Sequence, residues 1–141
     1  MFNKILLAVD INDDAGAQRA ADHGLELARM CGAELHVLNV VPDMGFNLVG
    51  SAFGPEHAKQ VRTETETALR TWAEGAMPGA GIAGLHVSQG TVYDQIIRKA
   101  DKLGADAIVV GAHRPELRDY LVGPNAARVV RHAKQAVLVV R

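Results

Sequence analysis

The sequence predicts an α/β fold with a single doubly wound, five-stranded parallel sheet of order 3-2-1-4-5 and helices on both faces. Strand and helix signals alternate along the chain as β-α-β-α-β-α-β-α-β, which is typical of a parallel sheet covered by helices. The strand segments are continuous apolar runs, as expected of strands that are buried on both faces. Right-handed crossovers and short connections favour this strand order over its alternatives.

The first half of the chain contains two predicted strands and two predicted helices. Lys4–Val9 is a short apolar run, and a polar turn rich in helix-capping residues follows it. Ala15–Cys31 has apolar residues at helical spacing, and Gly32 suits the end of that helix. A second strand is predicted over Leu35–Val41 and a polar helix over Glu56–Gly75.

The second half continues the alternation after a small connection, Met77–Gly84. Its residues 79–84 read G-x-G-x-x-G, but a dinucleotide site needs a strand before this motif and a helix after it. Here a helix precedes and a strand follows, which favours a plain connection. The remaining predicted elements are the strand Leu85–Ser88, the helix Thr91–Leu103, the strand Ala107–Val110, the helix Ala126–Ala133 and the strand Ala136–Val140.

Length and composition exclude several classes of protein. With 141 residues we expect one domain, 1–141, and the single Cys31 excludes an internal disulfide framework. A formal charge of -1 argues against a nucleic-acid partner. No apolar run approaches the ~18 residues of a membrane span, and no signal-peptide pattern is present, so we expect a cytoplasmic protein without membrane insertion. The six histidines lack metal-ligand spacing, and neither a metal site nor a catalytic residue is predicted.

The strand order itself predicts where a ligand would bind. The winding reverses between strands 1 and 4, and open α/β sheets bind ligands outside the carboxyl ends of the strands at that point. This places the candidate site at Ala8, Val9 and Asp10, and at Gly111 with the loop after it. The segment Pro42–Pro55 is predicted as a long surface loop. Because it carries four large apolar residues, we expect it to fold over this site or to pack against a second subunit.

The strongest motif is GAHRPELRDYLVGPNA, residues 111–126, which runs from the tip of strand 4 into the last helix. Gly111 allows close backbone approach, and 123–125 opens a helix whose amides and dipole favour an anion. Arg114 and Arg118 add positive charge. From these residues alone, a phosphate site and a plain loop with two solvated arginines are about equally supported.

Together these segments make the sequence resemble the universal stress protein family along its whole length. The opening KILLAVD is similar to that family's first strand, and ADKLGADAIVVGAHR and GPNAARVVRHAKQAVLVVR resemble its helix-strand-loop and C-terminal signatures. ATP-binding members follow the pattern G-x2-G-x9-G-[ST]. This chain differs from it, because Arg114 stands at the second glycine, the spacer is one residue shorter, and Pro124 stands at the Ser/Thr. The HRP…GPNA form resembles a nucleotide-binding branch of the family.

The resemblance implies a site for ATP, with Mg, at the crevice that the strand order selects. Val9 and Asp10 match the strand tip that meets adenine, and Val40 matches a residue of the base pocket. Gly111 and Gly123 match the first and last glycines of the phosphate motif. The complete implied cofactor-binding set is Ala8, Val9, Asp10, Val40, Gly111, His113, Arg114, Gly123, Pro124, Asn125 and Ala126.

The function that the resemblance implies is that of a small cytoplasmic ATP-binding stress-response regulator. It would act through nucleotide-dependent conformation or through a regulatory protein partner, without dedicated catalysis. The resemblance also implies a homodimer through strand 5, which we expect to bury Val137 and Val139 or their neighbours. Two alternatives stay open. One is a nucleotide-free dimeric interaction module, and Pro124 is the residue that distinguishes it from an ATP-binding protein. The other is a slow ATP hydrolase, which turnover of labelled ATP would reveal.

Overall fold

The computed structural model describes residues 1–42, 47–112 and 123–141, and over 47–53 it describes the backbone alone. Within these residues five strands alternate with four helices. None of the helices so described is long and apolar enough to cross a membrane. The elements are β1 (Lys4–Val9), α1 (Asp14–Cys31), β2 (Glu34–Pro42), α2 (Asn47–Ala76), β3 (Gly84–Gly90), α3 (Val92–Leu103), β4 (Ala107–Gly111), α4 (Pro124–His132) and β5 (Ala136–Val140).

The sheet confirms the predicted fold class. Its strand order is β3-β2-β1-β4-β5, and every neighbouring pair is parallel. The central strand β1 pairs with β2 on one side and with β4 on the other. The winding therefore reverses between β1 and β4, and the carboxyl ends of these two strands flank the predicted crevice.

Side chains of the sheet alternate between two hydrophobic clusters, one on each face. From β1, Ile5, Leu7 and Val9 join the cluster that packs against α1 and α2. Leu6 and Ala8 join the second cluster, which packs against α3 and α4. Ile5, Leu6 and Leu7 have no exposed surface, and burying each such side chain stabilises the fold by about 1.5–3 kcal/mol.

Capping residues in the sequence set both ends of α1. Asp13 is the N-cap, and its Oδ1 accepts a hydrogen bond from the Gly16 amide at 3.2 Å. At the other end Gly32 adopts a left-handed conformation with φ 64°, which favours glycine. Because only four residues separate the end of β1 from the start of α1, the first turn of α1 lies beside the carboxyl end of the sheet.

The predicted loop over Pro42–Pro55 is wrong for most of its length. β2 runs to Pro42, and α2 already begins at Asn47. The helix is interrupted at Gly54, where φ is 73°, and it resumes at Pro55. Proline suits the first turn of a helix because its missing N–H would have no partner there. The glycines thus made a kinked helical segment resemble a loop. The contacts predicted for its four large apolar side chains lie outside the described residues.

The glycine-rich segment 79–84 has the context that the sequence predicts. It links the end of α2 to the start of β3. Gly79 and Gly81 both have φ 67°, a backbone conformation that other residues rarely adopt. The segment is therefore a tight helix-to-strand connection. Smaller boundary shifts occur elsewhere, and the last helix begins at Pro124 rather than at Ala126.

The strand β5 forms one edge of the sheet. Val137 and Val139 pack against the cluster under α3 and α4, whereas Leu138 on the opposite face is 40% exposed. An apolar edge strand presents unpaired backbone groups and is a template for pairing with another strand. Pairing with a second copy of this chain remains a proposal.

A pair of histidines lies on neighbouring strands at the face that α3 covers. His36 Nδ1 and His86 Nε2 are 3.0 Å apart, and the stacked rings have centroids 5.3 Å apart. Glu34 Oε2 lies 3.4 Å from the other ring nitrogen of His36. Burial lowers the pKa of His86 below its ordinary value of 6.5, and the nearby charges of Lys99, His36 and Lys102 lower it further.

We expect the free energy of unfolding to decrease as the pH falls below 6.5. In the unfolded chain His86 binds a proton as the pH falls through about 6.5, whereas in the native protein it stays neutral until the pH reaches its lower pKa. Between these two pKa values the unfolded state therefore binds more protons than the native state. Above pH 6.5 His86 is neutral in both states and does not lower the free energy of unfolding. Urea unfolding between pH 8 and pH 5 measures the slope, which His86→Gln should reduce and the control His23→Gln, at an exposed position, should not. An unchanged slope in His86→Gln contradicts this assignment.

Candidate ligand-binding site

A cavity of about 570 Å³ opens at the carboxyl ends of the strands, between β1 and β4. Small-molecule and cofactor sites usually have volumes of roughly 300–1,000 Å³. Eight residues of the predicted site line this cavity: Ala8, Val9, Asp10, Val40, Gly111, Gly123, Asn125 and Ala126. The structure thus brings residues from four separate segments to the crevice that the strand order predicts.

The other three predicted site residues do not line the cavity as described. Pro124 is the first residue of α4 and is not among the lining residues. His113 and Arg114 fall within 113–122, outside the described residues. The arginine-containing part of the predicted phosphate loop is therefore not placed, and neither is Arg118.

A hydrogen-bonded turn after β1 forms one wall of the cavity. The Asp10 carboxylate accepts a hydrogen bond from the Asn12 amide at 2.9 Å, and the Asp10 carbonyl accepts one from the Asp13 amide at 2.9 Å. Asn39 is buried on β2, and its Oδ1 accepts a hydrogen bond from the Ile11 amide at 3.0 Å. The position of the turn is thus fixed from within the turn and from the neighbouring strand.

We expect Asn39→Ala to lower the stability and to loosen this wall. The substitution leaves the Ile11 amide without its acceptor, which costs about 1–3 kcal/mol for a buried donor. Chemical unfolding measures the loss, and amide exchange at Ile11 and Asn12 reports the loosened turn. Asn12→Ala is the control, because it is the same substitution at an exposed position and keeps the Asn12 backbone amide. Unchanged exchange in Asn39→Ala contradicts the role of its side chain.

The end of β4 leaves open space beside the first turn of α1. A Cβ atom added at Gly111 would meet nothing closer than the Gly16 carbonyl oxygen, at 4.0 Å. The Ala112 amide donates a hydrogen bond to the Val140 carbonyl at 2.8 Å, which ties the end of β4 to the end of β5. Glycine at position 111 is therefore not required by packing within the described residues, and it leaves room for a ligand.

The start of α4 supplies amide groups to the cavity. Gly123 is the N-cap with φ -60° and ψ 155°, and its carbonyl accepts a hydrogen bond from the Ala127 amide at 3.0 Å. No side chain of the described residues caps this end, and Asn125 and Ala126 in the first turn line the cavity. First-turn amides have no partner inside a helix and carry the positive end of its dipole, so an anion is favoured here.

Another part of the cavity lining is apolar. Val40 from β2 lies there with Val92 and Ile96 from α3. Such a surface suits the flat face of an aromatic base, while polar groups elsewhere in the site fix its orientation. The cavity therefore has an apolar part at β2 and α3 and an anion-attracting part at the start of α4.

Charged side chains on the α1 side complete the described lining. They are the carboxylates of Asp10 and Asp13 and the guanidinium of Arg19. Sequence reasoning identified Asp10 but did not single out Arg19. Arg19 lies three residues after Gly16, so the two share the helix face that lines the cavity, and only the folded structure identifies that face.

The fold and the cavity define a doubly wound α/β protein with a candidate ligand site at its topological switch point. The model of the universal stress protein family matches residues 1–141 of the chain. Universal stress protein G of Salmonella typhimurium is 33% identical over 150 residues, with 100% of each chain covered. The chain therefore belongs to the universal stress protein family.

Further relatives agree with this assignment. Universal stress protein G of Escherichia coli O157:H7 is 31% identical over 144 residues, again with 100% of each chain covered. The solved structure of a universal stress protein from Archaeoglobus fulgidus, in complex with dAMP, is 25% identical with a TM-score of 0.66. That similarity covers 99% of this chain and 98% of the other.

Proposed function

We propose that this universal stress protein binds ATP, with Mg, in the cavity between β1 and β4 and acts as a cytoplasmic regulator in the stress response. The observation that carries the proposal is the cavity itself, which joins an apolar surface to the amides at the start of α4. An adenine base and a phosphate tail need these two environments side by side. A similar protein, the one from Archaeoglobus fulgidus, was solved in complex with the nucleotide dAMP.

The residues present fit a nucleotide of this kind. Adenine would lie against Val40 and the end of β1, and the phosphates would meet the first-turn amides of Asn125 and Ala126. Pro124 has no N–H to donate, so Asn125 is the first amide that α4 itself offers. The Asp10 carboxylate could hold the Mg that accompanies ATP, because Mg is usually held by one or two carboxylates together with the phosphates.

The regulatory output would be a change of conformation or of partner when the nucleotide binds. We propose a homodimer through β5 as the unit that carries it, since Leu138 is exposed on an unpaired edge. The same exposed edge favours the second candidate function, a dimeric interaction module that binds no nucleotide. Turnover of labelled ATP tests the third alternative, slow hydrolysis.

Calorimetric titration of the purified protein with Mg-ATP tests the proposed function. We expect one site per chain, and mass spectrometry of small molecules released from the protein identifies what it carries from the cell. Pro124→Ser, which adds a hydroxyl and an amide at the start of α4, should strengthen the binding. If the protein shows no binding up to millimolar ATP, the nucleotide function fails and the interaction module takes its place.

A further inference from the structure

Arg19 has a buried nitrogen without a hydrogen-bond partner. Its Nη2 has less than 1 Å² of exposed surface, and no acceptor among the described residues lies within hydrogen-bond distance. The residue as a whole is half-buried and lines the cavity at the carboxyl end of the sheet. The guanidinium stays charged at every physiological pH and carries five N–H donors, so a buried nitrogen of this group needs an acceptor.

The placement of Arg19 directs its side chain toward the ligand site. It follows Gly16 by three residues on α1, and the Gly16 carbonyl is the atom nearest to the open space at Gly111. Side chains of a helix tilt toward its N-terminus, which for α1 is the end beside the cavity. Arg19 therefore lines the same cavity as Gly111 at the end of β4 and Val40 on β2.

Each of the two nearby carboxylates accepts a hydrogen bond from a backbone amide. Asp10 accepts from the Asn12 amide and Asp13 caps α1 through the Gly16 amide. Neither forms an ion pair with Arg19 among the described residues. Burying a polar group without a hydrogen bond is costly, so the buried Nη2 of this half-buried guanidinium would be stabilised by an anionic ligand in the cavity.

We propose that Arg19 binds the phosphate tail of the nucleotide and makes the cavity select nucleoside polyphosphates over the nucleoside. This inference rests on the proposed function, but it assigns a residue outside the predicted phosphate loop. The start of α4 and Arg19 contact the tail from different elements. Because the adenine base would lie against Val40 and the end of β1, we expect Arg19 to affect binding through the phosphates.

Arg19→Met tests the proposal, because methionine removes the charge and keeps an unbranched side chain. Calorimetry with adenosine, AMP, ADP and ATP should show an ATP affinity lower by about 10- to 100-fold and an unchanged adenosine affinity. Arg29→Met, at an exposed position in the last turn of the same helix, is the matched control and should bind ATP like the unmodified protein. An equal loss for adenosine and ATP, or no loss at all, overturns the proposal.

The stability of the ligand-free protein separates an anion contact from a structural role. Arg19→Met removes no ion pair among the described residues and relieves the unpartnered Nη2, so the melting temperature of the variant should be equal to or above that of the unmodified protein. A clear decrease would mean that the guanidinium serves the packing, and would overturn the proposal.

Inorganic tripolyphosphate distinguishes failure of this inference from failure of the proposed function. We expect it to raise the melting temperature of the unmodified protein and of Arg29→Met, but not that of Arg19→Met. If no adenine ligand binds while this pattern holds, the nucleotide function fails and the anion contact at Arg19 stands. If tripolyphosphate has no effect on the unmodified protein, the assignment of Arg19 is wrong.

Discussion

Gly123→Val should abolish ATP binding while leaving the sheet intact. Gly123 lines the cavity, and a branched side chain there occupies the space that the phosphates need. The backbone tolerates the change, since φ -60° and ψ 155° are open to valine and suit a residue that precedes proline. We expect the affinity for Mg-ATP to drop by at least about 100-fold, measured by calorimetry.

The control for this variant is Gly75→Val on α2. Gly75 is exposed, and nothing lies within 4 Å of a Cβ atom added there. It therefore makes the same chemical change away from the cavity and should leave ATP binding as it is. Circular dichroism and melting temperature confirm that both variants fold. Retained ATP binding in a folded Gly123→Val contradicts the placement of the phosphates at the start of α4.

Leu138→Glu should convert the proposed dimer to a monomer without unfolding the chain. The side chain is 40% exposed in the single chain, so a carboxylate there remains hydrated. A two-fold axis pairs an edge strand with its own copy in antiparallel fashion and brings the two new charges close together. We expect the dissociation constant of the dimer to rise by at least about tenfold, measured by sedimentation at micromolar concentration.

Two further variants make the dimer test specific. Leu138→Val keeps the edge apolar and should sediment like the unmodified protein. Val139→Glu changes the neighbouring residue, whose side chain packs against the cluster under α3 and α4, so it should unfold the chain instead. If the unmodified protein is a stable monomer at micromolar concentration, the proposed dimer is wrong and β5 is an edge strand without a partner strand from a second copy.

The fold was predictable because its signals are local and repeat along the chain. The strands β1, β4 and β5 are apolar runs, and helix ends coincide with capping residues such as Asp13 and Gly32. The segment around Gly54 was the exception. Three glycines within Pro42–Pro55 resemble a loop, but Pro55 restarts a helix after the kink, and a kinked helix has no unbroken periodicity to detect.

The location of the candidate site followed from topology, whereas part of its chemistry did not. The strand order brings Asp10 and Gly111 together irrespective of side-chain detail. Asn39 and Arg19 were missed because their roles depend on contacts across the sheet and on burial, which the sequence does not encode locally. The Asn39 side chain on β2 holds the turn that follows β1. This contact can be recognised only once the register of the two strands is known.

The central position of β1 has a consequence for how the protein opens. Its side chains contribute to both hydrophobic clusters, and its backbone is hydrogen-bonded on both sides. Neither face can separate from β1 without removing support from the other, so the two clusters should melt in one cooperative transition. The amides of Ile5 to Ala8 should then exchange with solvent only through global unfolding and be the slowest in the chain. The turn that begins at Asp10, immediately after this strand, is held by a few hydrogen bonds and should exchange through local openings instead.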